Sequence, residues 1–147
     1  MKETTVSKRW TYKGKDCVIL LMNELHHYNM YVESKHNIGY SEHYDHGLSP
    51  ESCIDCHGGV TFAGPLNGIE DAKPWYFGAD FAHYGDRISL PNGINVCEDG
   101  HAWTLEEVEK ECERFADSVI EYEKNYKKIL DIIKRHEEEI EQLKKNQ

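Results

Sequence analysis

The sequence predicts an α+β fold: a small antiparallel β-sheet body over residues 1–103 and a long C-terminal helical, coiled-coil-like arm over residues 104–147. Two observations carry this prediction. Short β-prone runs, separated by glycine, proline and polar loops, fill the first part. The second part has no glycine or proline for 44 residues and repeats apolar side chains at heptad spacing. At 147 residues, body and arm form one domain overall.

The opening of the body predicts a β-meander. "SKRWTYK", the turn "GKD" and "CVILLMN" have the pattern of two strands joined by a tight turn, and "YNMYVES" continues as a third strand. The runs "GGVTFAG" and "KPWYFGADFA" predict later, shorter strands. The period-two alternation of the last run predicts that four side chains lie on the same face of the strand: Trp75, Phe77, Ala79 and Phe81.

Two long polar loops, "KHNIGYSEHYDHGLSPES" and "GDRISLPNGINVCEDGH", connect these runs. Loops of this length in a small domain usually build a site or an interface. Within the first loop, "SEHYDHG" is expected to be a solvated turn, so its histidines, His43 and His46, are not assigned to a site.

The arm begins with a capping box, in which Thr104 and Glu107 satisfy each other's backbone amides. Its seam is apolar or neutral except for one histidine: Leu105, Val108, Cys112, Phe115, Val119, Tyr122, Tyr126, Ile129, Ile133, His136, Ile140 and Leu143. As one helix it would be about 65 Å long, and a helix pair broken near "EKNYKK" is the alternative. Packing on the chain's own sheet explains only the first half of the seam, so we expect the remainder to join a second copy of the chain in a dimer or higher homo-oligomer.

Composition limits the partners. The net charge of −10 and the pI near 5.3 argue against a nucleic-acid polymer as a partner, since many phosphate contacts require basic side chains. The longest apolar run, "CVILLM", is too short for a membrane span, and the N-terminus lacks the apolar core of an export signal. We therefore expect a cytoplasmic protein with reduced cysteines, which also argues against haem attachment at "CIDCHGG" despite its spacing.

Two further chemistries are weighed as alternatives. Cys53, Cys56, Cys97 and His101 are zinc-ligand types, although their forty-residue separation exceeds that of common small zinc modules, and a zinc-stabilised interaction module stays open. His57, Asp80, His83 and Asp86 would suit a metal-dependent cyclic-nucleotide hydrolase, but no established catalytic spacing appears.

The segments "HGGVTFAG" and "PWYFGADFAHYGDR" are the most informative for function. The glycines Gly58 and Gly59 leave backbone amides open to a ligand, and the second segment ends in an aromatic, a carboxylate and Arg87. An aromatic face, an arginine and open amides are what a purine linked to phosphates requires.

"HGGVTFAG" followed by "WYFGADFAHYGD", with a β-rich body and an acidic helical C-terminus, resembles the first-described family of Thoeris anti-defence proteins of phages and prophages, over roughly residues 17–125. The resemblance implies a sponge: a cytoplasmic, oligomeric, non-enzymatic protein, with no cofactor or metal, that sequesters the cyclic ADP-ribose isomer made by a TIR-domain sensor. Some family members also hold cyclic oligonucleotides. By resemblance, the adenine would lie against Phe77, Phe81 or Tyr84, the phosphates near Arg87 or Arg114, and the ribose or phosphates near Asn92. The remaining candidate ligand-binding residues come from the two motifs: His57, Gly58, Gly59, Thr61, Asp80, His83 and Asp86.

Overall fold

The computed structural model describes residues 4–23, 26–83, 85–89, 94–96 and 99–147. The expected α+β class is observed: an antiparallel sheet is followed by C-terminal helices. In chain order the elements are β1 (Thr4–Tyr12), β2 (Lys15–Met22), β3 (His27–Glu33), α1 (Pro50–Cys53), β4 (Phe62–Gly64), β5 (Tyr76–Asp80), β6 (Ile88–Ser89), β7 (Asn95–Val96), α2 (Leu105–Lys124) and α3 (Tyr126–Lys145).

The main sheet has five strands in the order β1-β2-β3-β5-β4, with antiparallel neighbours throughout. A tight turn joins β1 and β2 as predicted, although it lies at residues 13–14 and not at the predicted residues 14–16. Its central residues, Lys13 and Gly14, have φ angles of 49° and 82°, as the favoured two-residue hairpin turns require. β6 and β7 form a separate two-stranded ribbon in the loop before α2.

The core lies between α2 and one face of the sheet. The alternation along β5 is the predicted one, since Phe77, Ala79 and Phe81 all belong to this core cluster. From the helix, Val108 and Phe115 are fully buried against them. The other face of the sheet carries a second, smaller cluster, which the loop between β4 and β5 covers in part.

Polar contacts fasten the β1–β2 hairpin to α2. The indole N–H of Trp10 donates to Glu113 at 3.2 Å, and the hydroxyl of Tyr12 donates to Asp117 at 3.1 Å. The helix begins with the predicted capping box: the backbone N–H of Thr104 donates to the Glu107 carboxylate at 2.9 Å, and the Glu107 N–H donates back to the threonine hydroxyl. Sequence-local contacts therefore fix the start of this helix, and long-range contacts hold its middle against the sheet.

The C-terminal region consists of two helices of 20 residues each, α2 and α3, separated at Asn125. The expectation of one coiled-coil-like arm is not confirmed, and the break falls in the "EKNYKK" segment of the alternative. Asn125 has φ −95° and ψ 0°, which departs from ideal helical geometry while its N–H still donates to the Glu121 carbonyl at 3.2 Å.

The loop after β3 covers the first half of α3. This corrects the expectation that the "SEHYDHG" turn is solvated, and the expectation that a second copy of the chain covers the whole second half of the seam. His36 stacks on Tyr126 with ring centroids 4.3 Å apart, and the Nδ1 atoms of His46 and His136 are 3.3 Å apart. The "SEHYDHG" turn is therefore docked on the helix and not simply solvated. The chain itself covers the seam as far as His136.

Beneath that loop, Ile129 and Ile133 are each only 7% exposed, whereas Ile140 and Leu143 are 49% and 65% exposed. Only the last turns of the seam stay open for a partner. Within the described residues, no helix is both long enough and apolar enough to span a membrane.

We expect Ile133→Ala to lower the free energy of unfolding by about 2–4 kcal/mol, because it leaves a cavity beneath the loop. Ile140→Ala, one heptad later on the same helix, should change it by less than about 0.5 kcal/mol, because its side chain is already half exposed. Chemical denaturation of both variants measures this difference. Equal effects would contradict the coverage of α3 by the loop.

Candidate functional site at the end of strand β5

The two glycine-containing motifs meet beside the end of β5. The backbone N–H of Thr61 donates to the Gly78 carbonyl at 2.9 Å, and the Thr61 hydroxyl lies 3.5 Å from Asp80 Oδ2. The ring of His83 lies over Gly58, where a Cβ atom would be 2.1 Å from His83 Nε2. Gly58 also has φ 71°, so both the contact and the backbone conformation require glycine here.

Asp86 is the buried centre of the site, with a side chain only 3% exposed. Its carboxylate accepts three hydrogen bonds: from His57 Nε2 at 2.9 Å, from the Trp103 indole N–H at 2.8 Å and from the His83 backbone N–H at 3.0 Å. These donors come from three separate segments of the chain. One carboxylate therefore joins the loop before β4, the turn after β5 and the residues before α2.

The charge on Asp86 is favoured by these donors. Burial alone raises the pKa of the carboxyl group, but the hydrogen bonds from His57, the His83 amide and Trp103 outweigh burial, so the pKa lies below its ordinary value. Because Asp86 stays ionised, it accepts a hydrogen bond from His57 Nε2 and fixes that edge of the ring. The His57 side chain is still 27% exposed.

Aromatic rings form one wall of the site. His57 stacks nearly parallel on Phe81, with centroids 4.8 Å apart and an interplanar angle of 11°. Trp103 packs against both rings, 4.7 Å from His57 and 4.8 Å from Phe81. Phe81 is 2% exposed, so the partly exposed rings of this wall are those of His57 and Trp103.

A second histidine–aspartate pair lies beside the first. Nε2 of His83 is 3.0 Å from Asp80 Oδ1, and the two side chains are 30% and 29% exposed. The Nε2 atom of His83 is itself buried and has no hydrogen-bond partner among the described residues, so this contact is a close approach to Asp80 and not a hydrogen bond. The rings of His57 and His83 are 5.7 Å apart, edge to face. We call these four side chains the histidine–aspartate site.

A charged rim on α2 adjoins this site. Glu111 accepts the backbone N–H of His57 at 2.7 Å and also pairs with Arg114 at 2.7 Å. Asp55 pairs with the same guanidinium at 2.6 Å. The hydrogen bonds that Arg114 donates to the carboxylates of Glu111 and Asp55 raise its pKa above the ordinary value. An incoming phosphate would compete chiefly with Asp55, whose side chain is 77% exposed.

The structure brings seven predicted site residues together: His57, Gly58, Thr61, Asp80, Phe81, His83 and Asp86. Gly59 follows in the same turn, with φ 82°, and Arg114 lies on the rim. Phe77 is different, because its ring is 1% exposed within the core and presents no face to a ligand. Arg87 is exposed. Tyr84 and Asn92 lie outside the described residues.

Sequence reasoning missed Trp103 and Glu111. Trp103 was one aromatic among many, and its link to Asp86 spans 17 residues of loop. The link between Glu111 and His57 spans 54 residues. Neither pairing follows a local spacing, so no sequence signal was available to find it.

The zinc hypothesis finds no ligand cluster among the described residues, where no three histidine, cysteine or acidic side chains converge on a metal position. His101 faces Glu107 at 3.0 Å. Burial raises the pKa of the Cys56 thiol to about 12. Cys53 is exposed, and Cys97 lies outside the described residues.

We expect Asp86→Asn to lower the free energy of unfolding at pH 7 by about 1–3 kcal/mol, because the amide cannot accept all three donors. The folded pKa of Asp86 lies below the unfolded one, so its stabilisation is complete above about pH 4 and is lost as the pH falls through the folded value. The difference from the unmodified protein should therefore shrink in denaturant melts below pH 4. Asp131→Asn, at an exposed position on α3, is the control, and a pH-independent difference for Asp86→Asn would contradict the assignment.

Comparison with known proteins adds no neighbour to this site. No protein-family model matches the chain, and neither a curated protein nor a solved structure is significantly similar to it.

Proposed function

We propose that the protein binds a cyclic ADP-ribose signalling nucleotide at the histidine–aspartate site and holds it without turnover, which would keep it from a TIR-dependent Thoeris effector. The observation that carries the proposal is the convergence of the two motifs on which the family resemblance rests. His57, Gly58 and Thr61 come from the first motif, and Asp80 and His83 from the second.

The exposed groups at this convergence suit a nucleotide. Thr61 and Asp80 present a hydroxyl and a carboxylate, which are hydrogen-bonding partners for ribose hydroxyls. His57 and His83 present imidazole rings, and Arg114 supplies a guanidinium with the fork geometry that binds phosphate oxygens. The turn at Gly58 and Gly59 lets a ligand approach the backbone closely.

The adenine requires a flat apolar partner. Phe77 is unsuited to this role because its ring is buried, and Phe81 is covered by His57. We therefore assign stacking to the partly exposed rings of His57 and Trp103. This assignment replaces the one made from the sequence, because a ring buried in the core cannot contact a ligand unless the core opens.

One observation favours hydrolysis as a second candidate. Two histidines, each beside an aspartate, lie with their rings 5.7 Å apart, and paired imidazoles can act as general acid and general base. His57, Asp80, His83 and Asp86 do not form a metal-binding group in the described structure, so this alternative would rest on proton transfer by the two histidines.

The proposal includes self-association through the end of α3. Ile140 and Leu143 are 49% and 65% exposed in the last turns of this helix. Apolar side chains at this spacing are typical of helix–helix packing. A second copy of the chain would bury them, and the contact is shorter than the seam predicted from the sequence.

We expect Arg114→Ala to weaken binding of cyclic ADP-ribose isomers about tenfold, because a hydrogen bond to a charged group contributes about 1.5–3 kcal/mol and Asp55 already competes for the guanidinium. Arg135→Ala, at an exposed position on α3, should bind like the unmodified protein. Isothermal titration calorimetry with and without a chelator measures both, and chelation should change affinity by no more than a few-fold. Unchanged affinity in Arg114→Ala would show that Arg114 does not contribute to the binding site.

Heat release of the bound nucleotide separates sequestration from hydrolysis. After incubation and denaturation, the supernatant should contain intact cyclic nucleotide when analysed by chromatography. Recovery of a linear product, lost in His57→Ala, would instead establish the hydrolase. A thermal melt of His57→Ala establishes whether this variant is still folded, because the His57 ring also contacts Asp86.

We expect the double substitution Ile140→Asp and Leu143→Asp to shift the particle toward monomer, because it places charge on the open part of α3. Light scattering measures the mass. Glu138→Asp and Glu141→Asp on the same helix, which keep the existing charge, form the control. An unchanged mass after the apolar-to-aspartate change would exclude this surface as the contact.

A further inference from the structure

A cleft of about 440 Å³ lies on the face of the sheet opposite α2. The strands of this face contribute a buried cluster that includes Val18, Leu20 and Tyr31. Among the described elements, no helix covers it, and the loop between β4 and β5 crosses it. The cleft opens between the first half of that loop, Pro65–Ile69, and strands β1 and β2.

The described residues that line the cleft are uncharged. Among them there is no aspartate, glutamate, lysine, arginine or histidine, although 30% of the chain is charged. The apolar walls come from both strands and loop: Leu20, Met22, Tyr31, Phe62, Leu66 and Ile69. An ionic ligand would lose its hydration here without gaining a charged partner, so this lining favours an uncharged ligand.

A partly buried charge network anchors the loop that forms one wall. The Arg9 guanidinium pairs with both oxygens of Asp16 at 3.0 Å and donates to the backbone carbonyls of Glu70 and Asp71. The Tyr76 hydroxyl donates to Asp16 at 2.5 Å and accepts the backbone N–H of Lys73 at 2.8 Å. These contacts hold the second half of the loop against the sheet, directly after the residues that line the cleft.

Two aromatic rings form a second wall. Tyr31 and Phe62 meet edge to face, with centroids 5.4 Å apart and an interplanar angle of 88°. Tyr31 lies directly over Gly78, where a Cβ atom would be 2.5 Å from the ring. Because residue 78 is a glycine, the ring of Tyr31 can lie flat on the sheet. The cleft lies beside this ring.

We propose that this cleft is a binding site for an uncharged, largely apolar small molecule that carries an aromatic ring. Its volume falls within the range of small-molecule sites, about 300–1,000 Å³. A protein partner is disfavoured, because a standard interface covers about 800 Å² of each protein. Among the residues of β1 to β5, Val6 is the most exposed large apolar side chain, at 47%. The site lies on the opposite face of the sheet from the core and goes beyond the proposed nucleotide function.

N-phenyl-1-naphthylamine, an uncharged fluorescent aromatic amine, is a suitable probe. We expect saturable binding to the full-length protein at one site per chain, measured as a fluorescence increase. Val6→Glu should weaken this binding at least about tenfold by placing a charge at the rim of the cleft. Asn67→Trp should do the same by filling the entrance, since Asn67 is an exposed residue of the lining.

Leu130→Glu is the matched control, because it removes an exposed apolar side chain from α3, outside the proposed contact between copies, and leaves the cleft unchanged. Its affinity for the probe should equal that of the unmodified protein. Thermal melts establish that each variant is folded, and methyl NMR of Met22 and Leu66 should show shifts on probe addition. Absence of saturable binding, or equal affinity in Val6→Glu, Asn67→Trp and the unmodified protein, would overturn the proposal.

Discussion

The packing of α2 on one face of the five-stranded sheet is the interaction on which the remaining structure depends. Val108, Cys112 and Phe115 are fully buried against residues of β2, β3 and β5. Burial of apolar surface on this scale is the main favourable contribution to folding. Because the helix is fixed there, its N-terminal turns bring Glu111 and Arg114 to the end of β5, and its C-terminal end directs α3 toward the loop after β3.

The histidine–aspartate site combines a rigid centre with partly exposed groups. Asp86 is buried and fully engaged by three donors, so its role is to position His57 and Trp103. His57, Asp80 and His83 are each about 30% exposed and are the groups that a ligand can reach. This division is typical of binding sites, in which buried hydrogen bonds orient the side chains that contact the ligand.

Local patterns in the sequence were sufficient for the meander, the capping box at Thr104 and the alternation along β5, because turns, caps and strand faces depend on neighbouring residues. The coverage of α3 was not predictable in this way. His36, His43 and His46 are polar, and nothing in their spacing indicates a partner about 90 residues away. The burial of Phe77 followed from the alternation, but its assignment to a ligand came from resemblance. Likewise, the pairing of Arg114 with Asp55 joins residues 59 apart.

The long-range attachment of α2 also bears on synthesis of the protein. Trp10 and its helix partner Glu113 are 103 residues apart in the sequence. The core-facing side of β2 and β3 is covered by the same helix. During translation, at about 5–20 residues per second, the meander is complete several seconds before its covering helix leaves the ribosome. The nascent chain therefore carries an uncovered apolar sheet face during that interval, when chaperones have access to it.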